Sequence, residues 1–281
     1  MLQGESYFKD TLPLITLRES DHTYIIRNDE FHEGVLLHST TKIVQSMFSP
    51  FLAHVIAKNI VKSKNPATIA KYKSILNGSD SPELLVNKWK DAGVLAAKYG
   101  TNVHKYIETF LLHFENEDYR ENINMSGEYI KDISSFKDFY DTIVVPQKWT
   151  PFILEMAIFD RDYPIAGSVD AIFKVAAEKD RFIMCDWKTS KTSLRLEGKK
   201  NYGKYGKGPL SKMKDNKINR YFLQQNIYRY ILEKKKNCYN IVITDMYLCV
   251  LVKNKHFEFI PVDFIDNCII EQVIEHYLQK K

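Results

Sequence analysis

A chain of 281 residues, 44% hydrophobic and 27% charged, can bury a sizeable core and has the balance of an ordinary globular protein. No apolar stretch approaches the length that spans a bilayer, and MLQGESYFKD lacks the basic start and apolar run of a secretory leader, so a soluble intracellular protein is expected. The net charge is only +5, but residues 195–220 hold nine Lys/Arg against Glu197 and Asp215, which leaves the rest of the chain at −2.

Residues 11–45 read as short strands, LPLITL, HTYIIR and VLLHST, with a turn at Asn28-Asp29-Glu30. Helices are expected over 50–76 and 82–99, the second opened by Pro82-Glu83 with Ser81 as its cap. Gly100 permits a break. A further helix over 101–114, capped by Thr101, repeats Val103, Ile107, Phe110, Leu111 and Phe114 at helical spacing. His104 and Glu108 are four apart on it and face the same way. The polar stretch 115–127 reads as a loop, and a helix over 128–143 runs to Pro146.

Three strands are expected over 151–188, with a turn at 160–164. Residues 192–216, rich in glycine and lysine, read as a long mobile loop. A helix over 218–235, strands over 240–252 and 256–262, and a helix over 263–279 complete the chain. The fold class is α/β: a mixed central sheet flanked by helices over 83–281, behind a strand-and-helix extension over 1–82.

Chemistry concentrates at Asp170 and, sixteen positions on, at Asp186-Trp187-Lys188. Strand side chains alternate faces, so Asp186 and Lys188 share one, and Asp170 joins them if the two strands pair. Aspartate is disfavoured inside strands, and both acids are flanked by apolar residues, so each needs a partner. Hard carboxylate oxygens suit Mg²⁺ or Mn²⁺, and an ammonium aimed at the same spot suits phosphodiester cleavage. The bland alternative is that Lys188 simply pairs with Asp186 in the fold. Cys185, Cys238, Cys249 and Cys268 form no C-x-x-C and no cluster with histidine, so no zinc site is expected.

The spacing Asp170…Asp186-x-Lys188 resembles the PD-(D/E)xK nuclease superfamily. Gly100-Thr101-Asn102-Val103-His104-Lys105-Tyr106-Ile107-Glu108, Glu155 in the preceding strand and Gln224-Gln225-Asn226-Ile227-Tyr228 extend the resemblance to its RecB-like branch, in the family's order and over roughly residues 90–260. His22-Thr23-Tyr24 with Ser39-Thr40-Thr41 is similar to the small exonucleases of phages, large DNA viruses and mitochondrial genome maintenance.

The resemblance implies a PD-(D/E)xK core with one or two Mg²⁺ or Mn²⁺ ions on His104, Asp170, Asp186 and the Trp187 carbonyl. It implies a catalytic Lys188 and a supporting Glu155. It also implies DNA contacts from Gln224 and Tyr228. Glu108 either orients a nearby Lys or Arg or is solvated. The cysteine arrangement of the branch's iron–sulfur members is missing, so no cluster is expected. From its residue type Tyr221 can stack a base, and Lys199, Lys200, Lys204 and Lys207 can contact phosphate, or else line a solvated loop.

The expected function is therefore metal-dependent hydrolysis of DNA, by an exonuclease acting on single strands or ends in replication, repair or recombination. The alternatives are a structure-specific endonuclease and a non-catalytic nucleic-acid-binding module.

Overall fold

The computed structural model describes residues 14–18, 23–27, 34–123, 129–175, 178, 181–199, 203–237, 239–253 and 257–280. Lys200 and Cys238 lie outside them. The chain divides into two compact units, Pro50–Asn102 and the rest. The sequence expectation set its boundary at 82/83 instead. The strands ahead of residue 50 belong to the larger unit because they hydrogen-bond into its sheet.

That sheet is mixed and open. Its strands are β1 (Leu14–Arg18), β2 (Thr23–Arg27), β3 (Leu36–Ser39), β4 (Trp149–Phe159), β5 (Ile165–Val175), β6 (Phe182–Ser190), β7 (Ile243–Val252) and β8 (Phe257–Pro261). The order is β1-β2-β3-β5-β6-β7-β8, with β4 also paired to β5. β3–β5 and β6–β7 are parallel; the other pairs are antiparallel.

β5 organises the site. β4 covers one of its edges over nearly its whole length. The other edge is shared: β3 pairs at Ile165 and Ala166, and β6 pairs only from Ala171 to Lys174. Gly167–Asp170 therefore pair with neither strand on that edge, and β6 runs on alongside β7 from Asp186 to Ser190. Backbone donors and acceptors left open in such a gap must find side-chain partners.

Helices cover both faces of the sheet. Met184, Leu248 and Val250 belong to an aliphatic core with Ile43 of α1 (Thr40–Ser46), Ile227 and Ile231 of α8 (Lys217–Glu233) and Ile274 of α9 (Asn267–Leu278). Trp187, odd where Met184 is even, packs edge-on with Phe136 and Phe139 of α6 (Ile130–Phe139) and with Phe173. Asp186 and Lys188 share parity with Met184 and so project on the α8 side.

The smaller unit holds α2 (Ala53–Val61), α3 (Pro66–Leu76) and most of α4 (Pro82–Leu112). The expected single helix over 50–76 is two helices: Pro66 occupies the first turn of α3, whose cap Asn65 accepts from the N–H groups of Ala67 and Thr68. Conversely, Gly100 does not break α4. Glycine in a helix costs about 1 kcal/mol, and burial of Val103, Tyr106, Ile107, Phe110 and Leu111 just beyond it outweighs that cost. Thr101, expected as a cap, bonds back to the Ala97 carbonyl at 3.1 Å in mid-helix.

The polar stretch after α4 forms α5 (Glu117–Glu121), capped by Asn116, and α6 continues through a π-turn at Tyr140–Val144. Among the described residues, no helix is long and apolar enough to cross a membrane.

Candidate metal and phosphodiester site

In the gap between β5 and β6, the free edge of β6 is held by two side chains. The Trp187 N–H donates to Asp170 Oδ2 at 2.8 Å, and the Trp187 carbonyl lies 3.1 Å from His104 Nε2. His104 reaches the gap from α4, with Nδ1 3.3 Å from Glu155 Oε1 and 3.7 Å from Asp170 Oδ2.

Glu155 stands opposite Asp170 in the β4–β5 register, between the Leu154↔Ala171 and Met156↔Val169 pairs. Its φ of 45° is left-handed, a rare conformation for a non-glycine residue within a strand. Such an outlier persists only where its surroundings enforce it, and outliers of this kind gather at functional sites. Ligand atoms of His104, Glu155 and Asp170 all lie within 4.8 Å of one another, close enough to share one cation.

Asp186 is engaged differently. Its carboxylate is ion-paired with Lys188, at the next position on the same face, and both are largely buried. Of the expected ligands, then, His104 and Asp170 converge, Glu155 supplies the third ligand atom, and Asp186 holds the ammonium. The Trp187 carbonyl is hydrogen-bonded to His104.

Electrostatics account for these pairings. Three carboxylates, Glu155, Asp170 and Asp186, gather about two basic groups, Lys188 and His104. Burial works against a charge on His104, but Asp170 and the hydrogen bond to Glu155 outweigh it and carry its pKa up to about 9. The imidazolium so favoured at neutral pH donates from both ring nitrogens, which matches its contacts, and a cation would bind the ring only by displacing one of those protons. Burial likewise opposes the charge on Lys188, and Asp186 and Asp170 reverse the balance, so its pKa is raised. Burial pushes the Asp186 carboxyl up to about 6 and raises that of Asp170 against the pull of His104 and Lys188. A divalent cation would supply the positive charge that this acid surplus lacks, and the mixed nitrogen and oxygen donors of the triad fit Mn²⁺ or Mg²⁺.

α8 lines the same region. Its cap, Asn216, accepts from the Asn219 N–H at 2.9 Å. Lys188 Nζ lies over the Tyr221 ring, 5.0 Å from its centroid. Gln224 Nε2 donates to the Tyr228 hydroxyl at 3.0 Å and lies 3.4 Å from Thr41 Oγ1. Gln225, by contrast, is fully buried and donates to the Tyr247 carbonyl, a packing role.

The Tyr228 ring presses on Gly167, where an added Cβ would come within 2.2 Å of Tyr228 Cε1. Only glycine at 167 admits the ring. Thr40 Oγ1 donates to the Ala166 carbonyl and ties the start of α1 to β5. Glu108 is half-buried outside this cluster, with no hydrogen bond or ion pair to a described residue.

The basic stretch is not the open loop its composition suggests. α7 (Leu194–Lys199) starts it, with its first N–H groups donating to Glu258. A Tyr205↔Lys214 bridge encloses a 3₁₀ turn at Gly208–Leu210. Lys207 donates to the Met47 carbonyl from its N–H and to the Ser46 carbonyl from Nζ, both at 2.8 Å. Arg220 binds Asp215 and the Ser49 carbonyl. Lys199, Lys204, Lys212 and Lys214 stay exposed, with no salt bridge to a described residue.

The residues least legible in sequence are Thr40, Thr41 and Tyr24. Burial, then the charges of Asp170 and Glu155, push the Tyr24 hydroxyl up to about 12. Their only signal was the N-terminal resemblance to small exonucleases.

No family model matches the chain, and no curated protein matches it. Among solved structures it is similar to one described as "Crystal structure of SSO0001", at 12% identity over 64% of this chain and 75% of that one, with a TM-score of 0.31. Likeness at that level carries no argument about function.

Proposed function

We propose that this protein is a Mg²⁺- or Mn²⁺-dependent deoxyribonuclease with a PD-(D/E)xK core, acting as an exonuclease on single-stranded DNA or DNA ends. One observation carries the reading: the ligand atoms of His104, Glu155 and Asp170 converge in a gap of the sheet beside the Asp186–Lys188 pair. The choice of DNA, and of ends over internal bonds, rests on the sequence resemblance.

His104, Glu155 and Asp170 would hold the cation, which when bound polarises water and offsets phosphate charge. Each protein group then has a task. The Lys188 ammonium neutralises charge building on the phosphoryl oxygens. Asp186 keeps that ammonium on the α8 side of β6. Asp170 fixes the Trp187 peptide through its N–H, which sets the line along which Asp186 and Lys188 project. Gln224, braced by the buried Tyr228 hydroxyl, offers a polar contact to the strand, and the exposed lysines of 199–214 attract its phosphates.

The test uses end-labelled linear single-stranded DNA and a closed single-stranded circle, each with Mn²⁺ or Mg²⁺. The linear strand should shorten from an end while the circle survives, and Asp170→Ala should leave both substrates intact. Cleavage that persists in Asp170→Ala, or none of either substrate with either metal, would overturn the reading. Cutting of the circle would make the protein an endonuclease.

A further inference from the structure

Tyr221 reads from sequence as a platform for a DNA base. Its surroundings suggest another use. Its ring lies under the Lys188 ammonium at 5.0 Å, and Lys217, one turn earlier on α8, has its own ammonium 5.8 Å from the same ring. The ring packs against the aliphatic core, which holds its plane. The hydroxyl makes no hydrogen bond with a described residue, so what Tyr221 contributes here is its π face.

Lysine carries its charge on a flexible four-carbon stem. Asp186 alone would tether the Lys188 ammonium on one side, toward the acids. A second contact from α8 fixes it between two elements. An aromatic face attracts a cation without neutralising it and without competing for its hydrogen bonds.

We infer that Tyr221 is a positioning residue for Lys188: its ring holds the ammonium in place for the phosphoryl group, and is not a stacking surface for a base. This rests on the nuclease reading of the same site. Base stacking and ammonium contact compete for the ring, and the two uses leave different kinetic signatures. A positioning ring acts on the rate at saturation, whereas a stacking ring acts on substrate binding.

The experiment compares Tyr221→Phe, Tyr221→Leu and Tyr221→Met with the parent on a linear single-stranded oligonucleotide. It also follows the ε-methylene resonances of Lys188, identified by their loss in Lys188→Ala, in the metal-free full chain. Tyr221→Phe should match the parent in kcat, KM and the ring-current shift of Lys188. Tyr221→Leu should lower kcat about tenfold with KM within about twofold, and should abolish the ring-current shift. Tyr221→Met, which keeps bulk without a π face, should behave as Tyr221→Leu does and serves in its place if that variant fails to fold.

Raised KM at unchanged kcat in the Leu and Met variants would overturn the inference in favour of base stacking. Unchanged kinetics in both would overturn it too, as would a Tyr221→Phe variant as impaired as Tyr221→Leu. A parent that cleaves nothing would overturn the nuclease reading and this inference with it. A cleaving parent with indifferent Tyr221 variants would overturn this inference alone.

Discussion

Two clusters of buried aspartate and lysine lie along β5, one at the turn before it and one at its middle, and their partners differ. At the turn before β5, Asp160 is saturated. Its Oδ1 accepts the N–H groups of Asp162 and Tyr163 at 2.7 and 2.9 Å; Lys234 Nζ reaches both oxygens; and Asn237 adds a bond at 3.2 Å. Asp162 pairs with Lys234 and Lys236, and Lys234 also lies over the Tyr163 and Tyr230 rings. Two acids meet two lysines, and the backbone absorbs the remaining lone pairs.

In the gap beyond Gly167, three acids share His104 and Lys188, burial raises the pKa of Asp170 and of Asp186, and Glu155 is held left-handed. Fully bonded, a buried charge is part of the architecture. Left short of positive charge at a strained residue, it marks a candidate functional site.

Breaking each cluster should therefore have opposite consequences. The largest effect is expected on turnover: Lys188→Ala or Asp186→Ala should reduce DNA cleavage by about 10³-fold in the folded protein while leaving DNA affinity close to the parent's. Initial rates on end-labelled DNA decide it, and a loss under tenfold would remove these residues from the chemistry. Asp160→Ala should act the other way. It strands Lys234 beside a buried turn and should cost about 3–5 kcal/mol in denaturant unfolding, with little change in kcat for the protein that remains folded.

Asp170→Asn sharpens the contrast. Because burial raises the pKa of this carboxyl, its charge is disfavoured in the folded protein, so the metal-free variant should be no less stable than the parent. Mn²⁺ at about a hundred times its Kd should stabilise the parent by about 2.7 kcal/mol and the variant hardly at all. Equal stabilisation of both in calorimetry would place the cation elsewhere.

The smallest effect concerns binding. Replacing Lys199, Lys204, Lys212 and Lys214 with serine should weaken single-stranded DNA binding and flatten its salt dependence, by about 0.7 in log–log slope for each phosphate no longer neutralised. A slope should remain, because Arg195, Lys207 and Lys217 stay in place. An unaltered slope would make the basic stretch a solvated surface. Lys207 is left in place in this variant because it anchors the end of α1.

Much of the site could be read from local pattern. Two-residue alternation put Asp186 and Lys188 on one strand face, and helical spacing put His104 on a helix whose apolar stripe faces the core. Both follow from the geometry of a single element, which a sequence states directly. Tertiary contacts decided the rest. The gap exists because β3, more than a hundred residues upstream, takes part of the β5 edge and leaves β6 to diverge. No local propensity encodes that. Glu155 adopts a conformation its own residue type disfavours, α4 runs through Gly100, and the glycine-rich basic stretch folds because Met47 and Ser46 accept its hydrogen bonds. In each case burial or a distant partner outweighs a local preference of about a kilocalorie per mole. The residue types of the site were thus set by sequence alone. The grouping of His104 with Glu155 and Asp170, and of Lys188 with Asp186 and Tyr221, was set by which strands and helices the fold brought together.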